Sequence, residues 1–144
     1  MTSVVEVDID RSQAEVAALL ADPRNNTKWM DDLARVEPIN GELGTPGSTY
    51  RLVPRQGNVI FVATVVAREP DRLRLRLDAS NVVVSVTGTL IGTAQGTTRL
   101  ISEEEFRFKG LFNTVFGFVA QRSIKKVHRR HIEAFTRFAE IERP

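Results

Sequence analysis

The C-terminal part of the chain carries a long apolar stripe, and this feature constrains the fold more than any other. Between Leu111 and Glu142 the only strong helix breaker is Gly117, and apolar residues recur at helical spacing. The stripe comprises Phe112, Phe116, Val119, Val127, Ala134, Phe138 and Ile141. This pattern predicts a single helix of about 30 residues, roughly 45 Å long. Such a helix needs an apolar surface of similar length to cover its stripe.

The chain before this helix predicts a sheet that supplies the covering surface. From Arg35 to Gly110, short apolar runs are separated by turn residues such as Gly, Pro and Asn. In the run RLRLRLDA, residues 72–79, leucine and arginine alternate, which places the leucines on one face and the arginines on the other. Consecutive short strands with short turns predict an antiparallel meander of about six strands.

The N-terminal segment predicts one further strand and a short helical pair. The run VVEVDID, residues 4–10, alternates apolar and acidic residues, as a half-buried strand does. Ser12 stands three residues before Glu15, the spacing of a capping box, and Pro23 ends the helix that follows. The segment around Trp29 is either a second short helix or an ordered loop.

Composition narrows the class of protein. A chain of 144 residues with 42% hydrophobic residues forms one ordinary domain, and we assign residues 1–144 to it. A net charge of +2 gives no reason to expect a nucleic-acid partner. The N-terminus lacks the layout of a secretion signal, and no apolar run is long enough to span a bilayer. We therefore expect a soluble, cytoplasmic protein without stable membrane insertion.

Metal and cofactor chemistry find little support in the sequence. The absence of cysteine excludes disulfides, thiolate metal sites and cysteine nucleophiles. His128 and His131 are three residues apart and could reach one ion, but no third ligand lies nearby in sequence. No glycine-rich phosphate loop or nucleophile elbow is present. We predict neither a metal nor a cofactor.

The opening stretch VVEVDIDRSQAEVAALLADPRNNTKWMDDLARVE resembles the SRPBCC superfamily. This superfamily includes START lipid-transfer domains, birch-pollen-allergen-like proteins and bacterial polyketide cyclase/dehydrase-like proteins. Asp22-Pro23 at the end of the helix and Trp29 just before the next strand match its pattern. The resemblance covers essentially the whole chain. It implies an α+β helix-grip fold, in which a curved antiparallel sheet of about six or seven strands surrounds the long C-terminal helix, with two short helices after the first strand.

The resemblance also implies a hydrophobic cavity between the sheet and the helix. Trp29 is then either part of the cavity rim or an anchor that holds the helical pair to the sheet, and both roles are compatible. The residues expected to line this cavity are Trp29, Tyr50, Phe61, Leu75, Val84, Ser102, Glu104, Phe106, Phe112, Phe116, Val119 and Ser123.

Glu104 is the candidate for chemistry. In the run RLISEEEFRF, the inward face predicted by alternation comprises Leu100, Ser102, Glu104, Phe106 and Phe108. A carboxyl group in an apolar cavity has a raised pKa and can act as a general acid or base, or orient a ligand hydroxyl. The alternative is a bulge or register slip that turns Glu104 toward solvent.

Three functions follow from these observations. The first is binding or transport of a small hydrophobic ligand, such as a lipid, a polyketide or an aromatic compound. The second is an enzyme resembling polyketide aromatase/cyclases, with Glu104 as acid/base and Tyr50 or Ser102 assisting. The third is an interaction module with a filled core that acts through the basic run RSIKKVHRRH, residues 122–131. An exposed sheet edge would also permit a homodimer.

Overall fold

A computed structural model describes the backbone of residues 1–110 and 115–141 and the side chains of residues 1–110 and 120–141. A seven-stranded sheet and three α-helices make up this part of the chain. In chain order the elements are β1 (Thr2–Ile9), α1 (Gln13–Ala21), a 3₁₀ turn (Pro23–Asn25), α2 (Asn26–Trp29), β2 (Leu33–Asn40), β3 (Thr49–Pro54), β4 (Phe61–Glu69), β5 (Arg72–Asp78), β6 (Val82–Gly92), β7 (Thr98–Phe108) and α3 (Val115–Ile141).

All neighbouring strands of the sheet are antiparallel, in the order β1-β7-β6-β5-β4-β3-β2. Strands β2 to β7 form the predicted meander, each pairing with its neighbour in sequence. Strand β1 pairs with β7, so β1 and β2, which flank the short helices in sequence, form the two opposite edges of the sheet. The chain between them crosses one end of the sheet as α1 and α2. The predicted helix-grip architecture is confirmed.

Local signals set the limits of α1. The Oγ atom of Ser12 accepts a hydrogen bond from the backbone N–H of Glu15 at 3.3 Å, as the capping-box spacing predicted. The helix ends at Ala21, and Pro23 begins the 3₁₀ turn that leads into α2. Val16 and Leu19 bury the apolar face of α1.

The buried face of α3 differs from the predicted stripe. The helix buries His128, Ile132, Phe135 and Ala139. Of the predicted stripe, Ile141 is 79% exposed, and Val127, Ala134 and Phe138 are only partly buried. The observed face is rotated by one residue, about 100°, from the predicted stripe. Apolar residues lie on both sides of the helix here, Ile132 and Phe135 on the observed face and Val127 on the predicted one, and periodicity alone does not fix the rotation of a helix against its sheet. The stripe residues Phe112, Phe116 and Val119 lie outside the described side chains.

Two apolar clusters divide the core. The packed end joins β1, β6, β7, α1 and the C-terminal half of α3 through Val5, Ile9, Val16, Leu19, Leu90, Leu100, Ile132, Phe135 and Ala139. The cavity end comprises Leu33, Tyr50, Leu52, Ala63 and Val65 on β2, β3 and β4. None of the helices in the described residues has the length and apolar character required to cross a membrane.

Candidate functional site

A two-chambered cavity lies between the sheet and α3. The outer chamber has a volume of about 860 Å³, and its α3 wall includes Ala120, Ile124 and Val127. The inner chamber, about 100 Å³, extends toward Leu100 and Ile132 at the packed end. The chambers are adjacent, because they share Met30, Leu52, Leu77, Glu104 and His131.

The predicted cavity residues lie on the walls of these chambers wherever their side chains are described. The outer chamber contains Phe61, Val84, Phe106 and Ser123. The inner chamber contains Trp29, Tyr50, Leu75 and Ser102, and Glu104 borders both. The remaining three, Phe112, Phe116 and Val119, lie outside the described side chains. The nine described residues thus border one chamber or both, and their role in ligand binding stays a prediction.

Glu104 lies on the inward face of β7, as alternation predicted. It pairs with Ser3 of β1 and Val86 of β6, and the register of β7 with both neighbours is continuous through this position. The bulge that would have turned Glu104 outward is therefore absent. Its side chain is 22% exposed, and burial raises the pKa of the carboxyl group to about 7.

His128, which the sequence singled out only as a possible metal ligand together with His131, is the buried partner of this carboxyl group. It is 1% exposed, and its Nδ1 atom lies 3.7 Å from Oε1 of Glu104. Nδ1 is 2.8 Å from Oγ of Ser3, and Nε2 is 2.9 Å from Oγ of Ser102. Burial, together with the positive charges of His131 and Arg129, lowers the pKa of His128 to about 4.

The two serines are the signal that could have revealed His128. Ser3 and Ser102 are buried on the inward faces of neighbouring strands. Buried hydroxyl groups require hydrogen-bond partners, and α3 is the element that covers this face. A neutral imidazole has one N–H donor and one acceptor nitrogen, so one serine donates to the ring and the other accepts from it.

Trp29 combines the two predicted roles. Its ring packs edge-on against Phe135 at 5.3 Å and His131 at 6.3 Å between centroids, which anchors α2 to α3. It also borders the inner chamber, and its buried Nε1 has no hydrogen-bond partner in the described residues. Nearby, Tyr50 has a side-chain hydrogen bond with Asn26, and burial raises the pKa of Tyr50 to about 12.

Four charged or titratable side chains meet beside the cavity where the loop after α2 approaches α3. Nε2 of His131 lies 2.9 Å from Oδ1 of Asp32, and Arg130 lies 3.3 Å from Asp31 and 3.7 Å from Asp32. Candidate ligand atoms of Asp31, Asp32 and His131 come within 4.8 Å of one another. The Arg130 guanidinium offsets part of the negative charge of the two aspartates. His128 faces the serines instead, so the two histidines do not converge on one ion.

A curved antiparallel sheet, a long C-terminal helix and a cavity between them define the helix-grip class of proteins. The chain matches the family described as "polyketide cyclase / dehydrase and lipid transport" over residues 1–140, and it belongs to that family. The resemblance to the SRPBCC superfamily is thereby confirmed. None of the proteins with curated functions matches the chain.

Solved structures share this fold at low sequence identity. A START superfamily protein from Mycobacterium smegmatis superimposes with a TM-score of 0.72 at 13% identity, covering 96% of this chain and 94% of its own. Truncated norcoclaurine synthase from Thalictrum flavum gives 0.72 at 13%, covering 99% and 96%. DynU16, from the dynemicin biosynthetic locus, gives 0.72 at 21%, covering 99% of this chain and 48% of its own. These similarities describe the fold alone.

Proposed function

We propose that this protein binds a small hydrophobic molecule in the two-chambered cavity, with the carboxyl group of Glu104 as its principal polar contact. The observation that carries the proposal is an outer chamber of about 860 Å³ whose wall is largely apolar and includes the mostly buried carboxyl group of Glu104. Exposed charged side chains also border this chamber, namely Asp31, Asp32, Arg55 and Arg130. Cavities of roughly 300–1,000 Å³ with few polar groups are typical of sites for small molecules. Membership of a family that includes lipid transport supports this class of ligand.

Glu104 can fix the orientation of a ligand bound in this cavity. With a pKa of about 7, the carboxyl group is protonated in a large fraction of molecules near neutral pH. The neutral acid can donate a hydrogen bond to a ligand carbonyl or hydroxyl group, and the charged form can accept one. A ligand with one oxygen function on an otherwise apolar skeleton therefore fits this wall best.

A second function, acid–base catalysis of the polyketide cyclase type, is favoured by the same carboxyl group. A general base works best when its pKa lies near the working pH, and the pKa of Glu104 is about 7. Catalysis would use the same bound ligand, so binding is the first property to test.

Native mass spectrometry of gently purified protein, followed by solvent extraction, tests the proposal directly. We expect a discrete extra mass that extraction removes, together with a change in the fluorescence of Trp29 at the wall of the inner chamber. An unliganded mass, combined with no thermal shift across a panel of lipids and aromatic compounds, would contradict the proposal and instead favour an interaction role for the basic run, residues 122–131.

A variant pair locates the binding site. Ala120 lies on the outer-chamber wall, whereas Ala14 lies exposed on α1. We expect Ala120→Trp to weaken binding of the neutral fluorophore N-phenyl-1-naphthylamine at least about tenfold, since the new ring occupies the chamber. Ala14→Trp, the control, should bind like the parent. Equal affinities of both variants for the probe would place its binding site elsewhere.

A further inference from the structure

We propose that Ser102, His128, Ser3 and Glu104 form a proton relay that begins and ends on the cavity wall. The relay suits a ligand with a carbonyl group beside an acidic C–H bond, and it converts that group between its keto and enol forms. This inference rests on the proposed function, because the ligand must first occupy the cavity.

Hydrogen bonds behind the wall join Ser102, His128 and Ser3, and Glu104 lies beside them. Ser102 borders the inner chamber, and its Oγ atom forms a hydrogen bond with Nε2 of His128 at 2.9 Å. Nδ1 of the same ring bonds to Ser3 at 2.8 Å and lies 3.7 Å from Glu104. Ser3 stands directly opposite Glu104 in the register of β1 and β7, where facing side chains are within reach of each other.

The two ends of the relay face one ligand. Ser102 and Glu104 are two residues apart on the same face of β7, about 6.6 Å along the strand. A carbonyl oxygen that accepts a hydrogen bond from Ser102 therefore places its neighbouring carbon toward the Glu104 carboxylate. A base and a hydrogen-bond donor on opposite sides of the reacting group are what enolisation requires.

The proton transfers balance without an oxidant or reductant. The charged form of Glu104 takes a proton from the carbon, and the electron pair of the broken C–H bond forms a carbon–carbon double bond. The carbonyl π electrons move to the oxygen, which takes a proton from Ser102. Ser102 regains a proton from Nε2 of His128, while Nδ1 takes one from Ser3 and Ser3 takes the one held by Glu104.

The imidazole thereby changes from its Nε2–H to its Nδ1–H tautomer and remains neutral. The reverse sequence returns a proton to the same carbon, or to the carbon on the other side of the carbonyl group, and restores the relay. His128 does not border either chamber in the described residues, so it acts as a positioning residue behind the two groups that touch the ligand.

The test follows hydrogen–deuterium exchange next to the carbonyl group of 2-tetralone in D₂O by proton NMR, with its affinity measured in parallel. We expect exchange above the buffer rate, lowered at least about 100-fold by Glu104→Gln. We expect His128→Gln to lower it at least about tenfold at unchanged affinity, since His128 borders neither chamber in the described residues. Ser102→Ala should lower the exchange rate of the bound ketone at least about tenfold, and Ser102→Thr should retain it. Glu105→Gln and Ser85→Ala, on exposed neighbouring positions, are the controls.

The possible results separate the relay from the binding function. Exchange at the parent rate in Ser102→Ala would overturn the relay even if His128→Gln fails to fold. Bound 2-tetralone that exchanges no faster than in buffer would overturn the relay and leave ligand binding intact. If 2-tetralone does not bind at all, both the binding proposal for this class of ligand and the relay are contradicted.

Discussion

The two halves of α3 differ in what they contact. The C-terminal half inserts Ile132, Phe135 and Ala139 into the packed end, where each is at most 5% exposed. The preceding turns present Ala120, Ile124 and Val127 to the outer chamber, where none is fully buried. One helix therefore anchors the fold at one end and covers a cavity at the other, and stability and binding should respond to different residues.

The largest expected effect comes from two isoleucines eight residues apart on α3. Ile132→Ala removes packed atoms and should lower the free energy of unfolding by about 2–5 kcal/mol. Ile124→Ala removes atoms that border the cavity and should cost about 1 kcal/mol or less. Chemical denaturation of both variants measures the difference. Equal losses would show that the cavity end is packed as closely as the other.

The next largest effect is the pH dependence of stability that arises where Glu104 contacts His128, between the packed end and the cavity end of the core. The Glu104 contribution to the free energy of unfolding is complete below the ordinary pKa of 4.5 and is lost as pH rises through about 7. The His128 contribution is complete above the ordinary pKa of 6.5 and is lost as pH falls through about 4. Between pH 4.5 and 6.5, Glu104 makes the free energy of unfolding fall with rising pH and His128 makes it rise, so the two effects oppose each other in the parent protein.

Replacing either residue alone should reveal the pH dependence of stability that the other residue causes. In Glu104→Gln, stability should rise with pH from about 4 to 6.5. In His128→Gln, it should fall with pH from 4.5 to about 7. Each change amounts to at most about 3.5 kcal/mol, at roughly 1.4 kcal/mol per pKa unit. Urea titrations across this range, with Glu105→Gln as the surface control, measure it. A curve for Glu104→Gln parallel to that of the control would contradict the assigned pKa values.

The smallest effect is expected where the charged loop before β2 meets α3. Asp32→Ala removes a partner of both His131 and Arg130 and should lower the free energy of unfolding by about 0.5 kcal/mol, less at high salt. Asp8→Ala, which breaks an exposed pair with Arg99 on the edge of the sheet, is the matched control.

We also expect faster release of N-phenyl-1-naphthylamine from Asp32→Ala alone. Equal release rates from the two variants would show that the contact of Asp32 with α3 does not limit exit from the cavity.

Much of this architecture could be read from the sequence. Alternation along β7 assigned Glu104 to the inward face, and the Ser12–Glu15 spacing located the start of α1. These features depend on neighbours within a few residues, so local periodicity and capping rules are sufficient to predict them. The same rules identified the long amphipathic helix and the sheet that covers it.

The partner of Glu104 was decided only by the tertiary structure. His128 lies in a basic run beside the exposed residues Arg129 and Arg130, and its burial depends on Ser3, 125 residues away, and on Ser102. Hydrophobic periodicity cannot register a polar residue whose cost of burial is offset by distant hydrogen bonds. The inner chamber was likewise decided by the tertiary structure, because Trp29, Ser102 and Ile132 border the same space although they are far apart in the sequence.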